Sequence, residues 1–259
     1  MRNAECIRAE ALSYVTQPFR ADIRNPNSEI RIRNMTQVIA CSTPEGILLA
    51  TDSLATWFDQ TRAMKHFNLK KILRLGSHTA MVSAGIGIGV EMGSAFKKFL
   101  QERRVEGIED VLRFAPPFFT DRYVTFLRER EMDRDLSRPS DDGEPDEPSP
   151  WKGVYFILAG YSFKDRQQPY HLHLLGSDEN GDSITPYSTS PILLIPRSLS
   201  MEKRLEAQRL AGSSIGHLLS LCKSFLKKRS AEGEVGPPFY FATITQAGFR
   251  EMMEEEVEG

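Results

Sequence analysis

Short apolar runs that come in pairs across Pro- or Gly-containing turns restrict this chain to folds built on antiparallel sheet. "TQVIACS" and "GILLATDS" flank "TPEG", and "KKILRL" and "TAMVSAG" flank "GSH". Each pair is rich in branched residues and closed by turn formers, which is the signature of a hairpin. The period then changes. "VEMGSAFKKFLQER" carries Val90, Phe96, Phe99 and Leu100 at helical spacing, and "IEDVLRFAPPFFTDRYVTFLRERE" keeps its apolar residues on one stripe. Pro116 and Pro117 are expected to kink or divide that second helix, since each removes a hydrogen bond and crowds the preceding turn.

At about 131–150 the tract "EMDRDLSRPSDDGEPDEPSP" is acidic, rich in Pro and Ser and nearly free of apolar residues. It cannot repay the entropy of ordering and reads as a mobile surface loop. Strands resume with "GVYFILAGYS" and "PYHLHLLG", followed by a turn at "SDENGDSI". In "MEKRLEAQRLAGSSIGHLLSLCKSFLKKR", Leu205, Leu210, Ile215, Leu218, Leu219, Cys222 and Leu226 trace an apolar face with a candidate break at Gly212. A last strand, "FYFATIT", precedes the acidic tail "EMMEEEVEG".

Strands, helices, strands and helices in that order imply an α+β chain: two antiparallel sheets face to face with helices outside, a four-layer αββα sandwich. Neither side of the acidic tract has an obvious complete core, so one domain from residue 36 to 259 is expected, preceded by an extension over 1–35. The chain holds 33 Lys and Arg against 35 Asp and Glu, a balance that argues for no global nucleic-acid or membrane partner. Cys6, Cys41 and Cys222 are scattered, odd in number and without metal-ligand spacing, which favours reduced thiols. The first 34 residues have no apolar central region, and no apolar run approaches the ~20 residues of a membrane helix, so a cytoplasmic protein is expected.

"MTQVIACSTPEGILLATDSLAT", "KKILRLGSHTAMVSAG", "VYFILAGYS" and "HLHLLGSDENGDS" taken together resemble the β-type subunits of proteasomes and the related bacterial ring peptidases, which are N-terminal-nucleophile hydrolases. The resemblance runs in order from Thr36 to about Thr245. It implies that Thr36 is the nucleophile, Asp52 the carboxylate on the second strand, Lys71 the nearby ammonium and Gly85 the donor of an oxyanion-hole N–H. Ala55 and Ser83 would line the pocket for the side chain preceding the scissile bond. It further implies self-association into rings or a ring-like array, peptide or unfolded-protein substrates, a possible ATP-dependent unfoldase partner, and neither cofactor nor metal. The chemistry is coherent in itself. A Thr hydroxyl is a weak nucleophile, and the free α-amine of the same residue, with an ordinary pKa of about 7.7–8.0, can serve as its base. An ammonium beside that amine disfavours its protonated form, and a carboxylate holds the ammonium in place.

The chain departs from the family in four places. Met35 stands where self-processing subunits usually have Gly, so residues 1–35 are either a propeptide or a mispredicted start, with translation from Met35 and methionine removal exposing Thr36. Leu54 replaces a basic residue, Tyr240 stands where an Asp is usual, and Ser190 is the nearest match to a helper Ser. The alternative function is therefore a non-catalytic structural subunit of such a ring. Gly85, Gly87, Gly89 and Gly93 do not give a dinucleotide-binding spacing. His171 and His173 share one strand face without an evident third metal ligand. No G-x-S-x-G is present for a triad hydrolase.

Overall fold

A computed structural model describes residues 36–58, 64–85, 87–137, 153–178, 183–187, 189–233, 235–252 and 254–257. The expectations for residues 1–35, for Cys6 and for the acidic tract from residue 138 onward lie outside these. The first hairpin is β1 (Val38–Thr43) and β2 (Gly46–Thr51), paired antiparallel across Pro44 and Glu45. Thr43 closes its turn, its hydroxyl donating to Gly46 O and accepting from the Gly46 N–H. Next come β3 (Leu54–Phe58) and β4 (Met64–Asn68), then the second expected hairpin, β5 (Ile72–Arg74) and β6 (Thr79–Gly85). Helices α1 (Ile88–Glu102) and α2 (Ile108–Ser137) follow. The chain continues through β7 (Val154–Tyr161), β8 (Tyr170–Ser177), β9 (Ile184–Pro186) and β10 (Ile192–Ile195). It ends with α3 (Leu199–Leu210), α4 (Ile215–Ala231), β11 (Tyr240–Thr245) and β12 (Gly248–Met252).

The strands form two five-stranded antiparallel sheets, β10-β1-β2-β11-β12 and β5-β6-β7-β8-β9, with β3 and β4 as a separate ribbon. The fold is α+β, with four helices among the described residues. Strand alternation sorts the apolar residues into three clusters. Val38, Ala40, Ile47 and Leu49 meet Ala80, Val82, Ile157 and Ala159 between the sheets. On the outer face of the first sheet, Ile39, Cys41, Leu48 and Ala50 pack with Leu205, Leu218, Cys222 and Leu226 of α3 and α4. On the outer face of the second, Met81, Phe156 and Leu158 pack with Phe96 and Leu100 of α1 and Phe119 of α2. This is the layering of a sandwich, and it explains why β1, β2 and β6 read as nearly unbroken apolar runs: both faces are buried. Residues from both sides of the acidic tract contribute to the cluster between the sheets. Cys41 and Cys222 are free, buried thiols.

Several expectations are corrected. Pro116 and Pro117 do not divide α2, which runs unbroken through them. Its buried stripe of Val111, Ala115, Phe119, Tyr123 and Phe126 continues on both sides of the pair. The carbonyls that lose donors belong to Leu112 and Arg113, on the less buried side where water can replace them. Residues 131–137, expected in the acidic loop, are the end of α2; Arg, Glu, Met and Leu are good helix formers, and an existing helix extends at little cost. The β3–β4 ribbon has no counterpart in the sequence reading, and β10 and β12 escape it because they are short edge strands. Leu210 is 71% exposed, so it does not join the apolar face assigned to it. The break at Gly212 is real: it adopts φ +72°, which L side chains rarely take, and Ser214 caps α4 by accepting from the His217 N–H.

Phe119 lies stacked on Phe156 with ring centroids 4.1 Å apart, fully buried between α2 and β7. Phe119→Ala is expected to lower the unfolding free energy by about 3–5 kcal/mol, read from the urea midpoint with the slope unchanged.

Candidate active site

The pairing of Val38 with Thr51 brings the residues before β1 beside those after β2. Asp52 donates its N–H to Gln37 O at 3.3 Å. In return, the Gln37 N–H donates at 2.9 Å not to a backbone carbonyl but to Asp52 Oδ1, so the carboxylate completes the ladder. Asp52 Oδ2 accepts the Leu54 N–H at 3.0 Å. Lys71, just ahead of β5 in the other sheet, reaches across to the same network: its Nζ donates to Asp52 Oδ1 at 2.8 Å and to Leu54 O at 2.9 Å. The third ammonium N–H has no acceptor among the described residues. Asp52 is 0% and Lys71 4% exposed.

A buried carboxylate and a buried ammonium each carry a solvation cost that only close pairing and hydrogen bonding offset. Burial pushes the Lys71 pKa below its ordinary 10.5, and the charge and hydrogen bond of Asp52 pull it part of the way back. Thr36 is half-buried and precedes Gln37 by one peptide bond. Lys71 Nζ and the Gln37 N–H meet one carboxylate oxygen, so the cation stands beside the backbone that carries Thr36.

The structure brings Asp52 and Lys71 into contact and sets Thr36 next to them. Ser83 and Gly85 lie on β6 at the Lys71 end of the second sheet, where the Ser83 N–H donates to Lys71 O at 3.3 Å. Gly85 has a stronger reason to be glycine than the approach of a substrate. Its φ is +90°, and a Cβ there would lie 1.8 Å from Gly153 O, just ahead of β7. Ser83 is buried beneath the first turn of α1; a Cβ on Gly89 would come within 3.2 Å of its own. Ala55 is half-buried in β3, opposite Phe67. Tyr240 pairs with Thr51, one residue from Asp52, and packs against the cluster between the sheets.

Ser190 is a correction. It precedes β10 at the end that pairs with Cys41, where its hydroxyl accepts the Ile192 N–H, and is therefore remote from Thr36. Sequence reasoning also missed Gln37. Its side-chain amide donates to Pro196 O at 3.2 Å and so ties the head of β1 to the end of β10, while its Oε1 is buried without a partner among the described residues. The only signal available was its position after Thr36. His171 and His173 stack nearly parallel, 5.9 Å apart, and among the described residues no group of three His, Cys, Asp or Glu could hold a metal ion.

Lys71→Ala leaves the Asp52 carboxylate buried without a countercharge and is expected to cost about 3–5 kcal/mol of stability. Adding Asp52→Asn should recover part of that loss, and urea unfolding of the four proteins in the cycle measures the coupling.

No protein-family model matches the chain, and no curated protein matches it.

Proposed function

We propose that the chain is a threonine endopeptidase of the N-terminal-nucleophile type, with Thr36 as nucleophile once its amine is free. The observation that supports this best is the sharing of one Asp52 oxygen by Lys71 Nζ and the Gln37 N–H, which holds a buried cation beside Thr36. In this reading the Thr36 α-amine takes the hydroxyl proton as Oγ attacks the carbonyl carbon of the substrate. The Gly85 N–H stabilises the tetrahedral oxyanion, a contribution of about 2.7–4 kcal/mol for one such donor in other hydrolases. The ammonium of Thr36 then gives its proton to the departing amine, and water, activated by the same amine, hydrolyses the ester. Lys71 keeps that amine unprotonated at neutral pH, and Asp52 keeps Lys71 in place.

The layered sheets and helices accommodate the Ntn-hydrolase fold that this chemistry uses. In this reading Ala55 and Ser83, both small, line the pocket for the side chain before the cut, Ser83 from beneath the first turn of α1. Rings that enclose the sites, and an ATP-dependent unfoldase to feed them, complete the proposal. A second reading, a non-catalytic ring subunit, draws on Tyr240 beside the Asp52 network and on the other tasks of the Lys71–Asp52 pair, which also holds Leu54 and Gln37.

Protein produced to begin at Thr36 is expected to hydrolyse short peptides with an apolar residue before the cut, and Thr36→Ala to lower the rate by at least about 10³-fold. Unchanged hydrolysis in that variant would remove the assignment; assembled rings without hydrolysis would establish the second reading.

The pH profile follows from the two amines. Activity should rise as the α-amine loses its proton, at or below its ordinary value of about 7.7–8.0, because the Lys71 charge lowers it. Lys71 loses its own charge below pH 10.5, because burial lowers its pKa, but the α-amine is already unprotonated there with or without that charge, so no alkaline fall is expected from this pair. Lys71→Ala is expected to move the acid limb to higher pH, as measured by kcat/KM against pH.

A further inference from the structure

At the other end of β1, about 20 Å from Thr36 at the usual strand rise, the edge of the sandwich opens into a cavity of about 820 Å³. One wall is the outer edge of β8. β9 pairs with β8 only over Leu175–Ser177, and the Tyr187 N–H then donates to Leu174 O at 2.8 Å. Backbone groups alternate sides along a strand, so the N–H and C=O of Leu172 face the same side as Leu174 O, the side on which Leu172 pairs with no strand among the described residues. Tyr170 O on that side accepts the Ser42 hydroxyl at 3.3 Å. The rest of the lining comes from the β1–β2 turn, the β7–β8 loop, the end of α3, and the crossover into β10 that carries Ser190.

The charged side chains are of one sign. Arg166 and Arg209 line the cavity beside the imidazoles of His171 and His173, and no Asp or Glu does so among the described residues. Arg209 is held by Glu206 through two contacts of 2.8 Å, whereas Arg166 has no ion pair among the described residues. His171 Nε2 is buried and makes no hydrogen bond; its nearest carboxylate, Asp165 Oδ2, is 3.7 Å away, beyond bonding distance, and Glu109 acts on it only electrostatically. Burial, with His171 beside it, holds the His173 pKa below 6.5, so His173 is a neutral donor at pH 7. A guanidinium with no ion pair among the described residues, two imidazoles and the outer edge of β8 share one cleft, whose volume falls in the range of about 300–1,000 Å³ usual for small-molecule sites.

We propose that this cavity binds a small organic anion, a phosphate or polycarboxylate, whose charged group meets Arg166 and the histidine pair and whose polar atoms meet the Leu172 edge and the Ser190 hydroxyl. The site is separate from Thr36 and does not rest on the peptidase reading.

Calorimetric titration of the full chain with inorganic phosphate, citrate and adenosine monophosphate, with adenosine as the neutral control, tests it. Saturable binding of at least one of the three anions, none of adenosine, and a loss of about tenfold or more in affinity for Arg166→Ala are expected. Arg166 is exposed, so this variant does not put folding at risk. Thr36→Ala should bind as the parent does, which separates this result from any failure of hydrolysis. Absence of saturable binding for all three anions up to about 10 mM, or equal affinity in Arg166→Ala, would overturn the proposal.

Discussion

The carboxylate of Asp52 is the point on which the site depends. It is fully buried, and every contact that makes its burial tolerable comes from a different part of the chain: the head of β1 through Gln37, the bend after β2 through Leu54, and the opposite sheet through Lys71. A charge in that position orders its surroundings because nothing else there can replace water. The network is therefore a brace between the sheets. Under the proposed peptidase reading the same atoms would also act on the Thr36 amine, so a change at Lys71 would alter stability and hydrolysis together.

The rest of the fold keeps this end of the sandwich in register. Strands buried on both faces cannot slip by one residue without exchanging the cluster between the sheets for a cluster under the helices. Val38 and Ile39 point into different cores, and the pairing of Val38 with Thr51 sets where Asp52 falls. The same packing explains why two adjacent prolines leave α2 whole. Its stripe from Val111 to Phe126 buries enough apolar area against β7 and α1 to outweigh the lost hydrogen bonds.

How legible the site was depended on the range of each interaction. Asp52 and Lys71 could be paired on paper through the resemblance, and the contact exists. Gly85 was assigned for a local reason, access to an oxyanion, but the backbone of Gly153, just ahead of β7, already forbids any side chain there. Ser190 was matched by nearby sequence and lies at the wrong end of β10, because the direction of an edge strand is set by its partner and not by its own residues. Gln37 carries no sequence signal, since its role arises from carbonyls some 160 positions away, at Ile195 and Pro196.

Taken alone, the sequence determined the hairpins at Thr36–Ser53 and Lys70–Gly85, the helical stretches, the break at Gly212 and the α+β class, because periodicity and turn chemistry are local properties of neighbouring residues. The order of strands in each sheet, the ribbon at Leu54–Asn68, the continuity of α2 and the sign of the charges around the β8 edge were decided by tertiary structure. Each of these depends on contacts between segments far apart in the chain, where packing and burial outweigh local propensity.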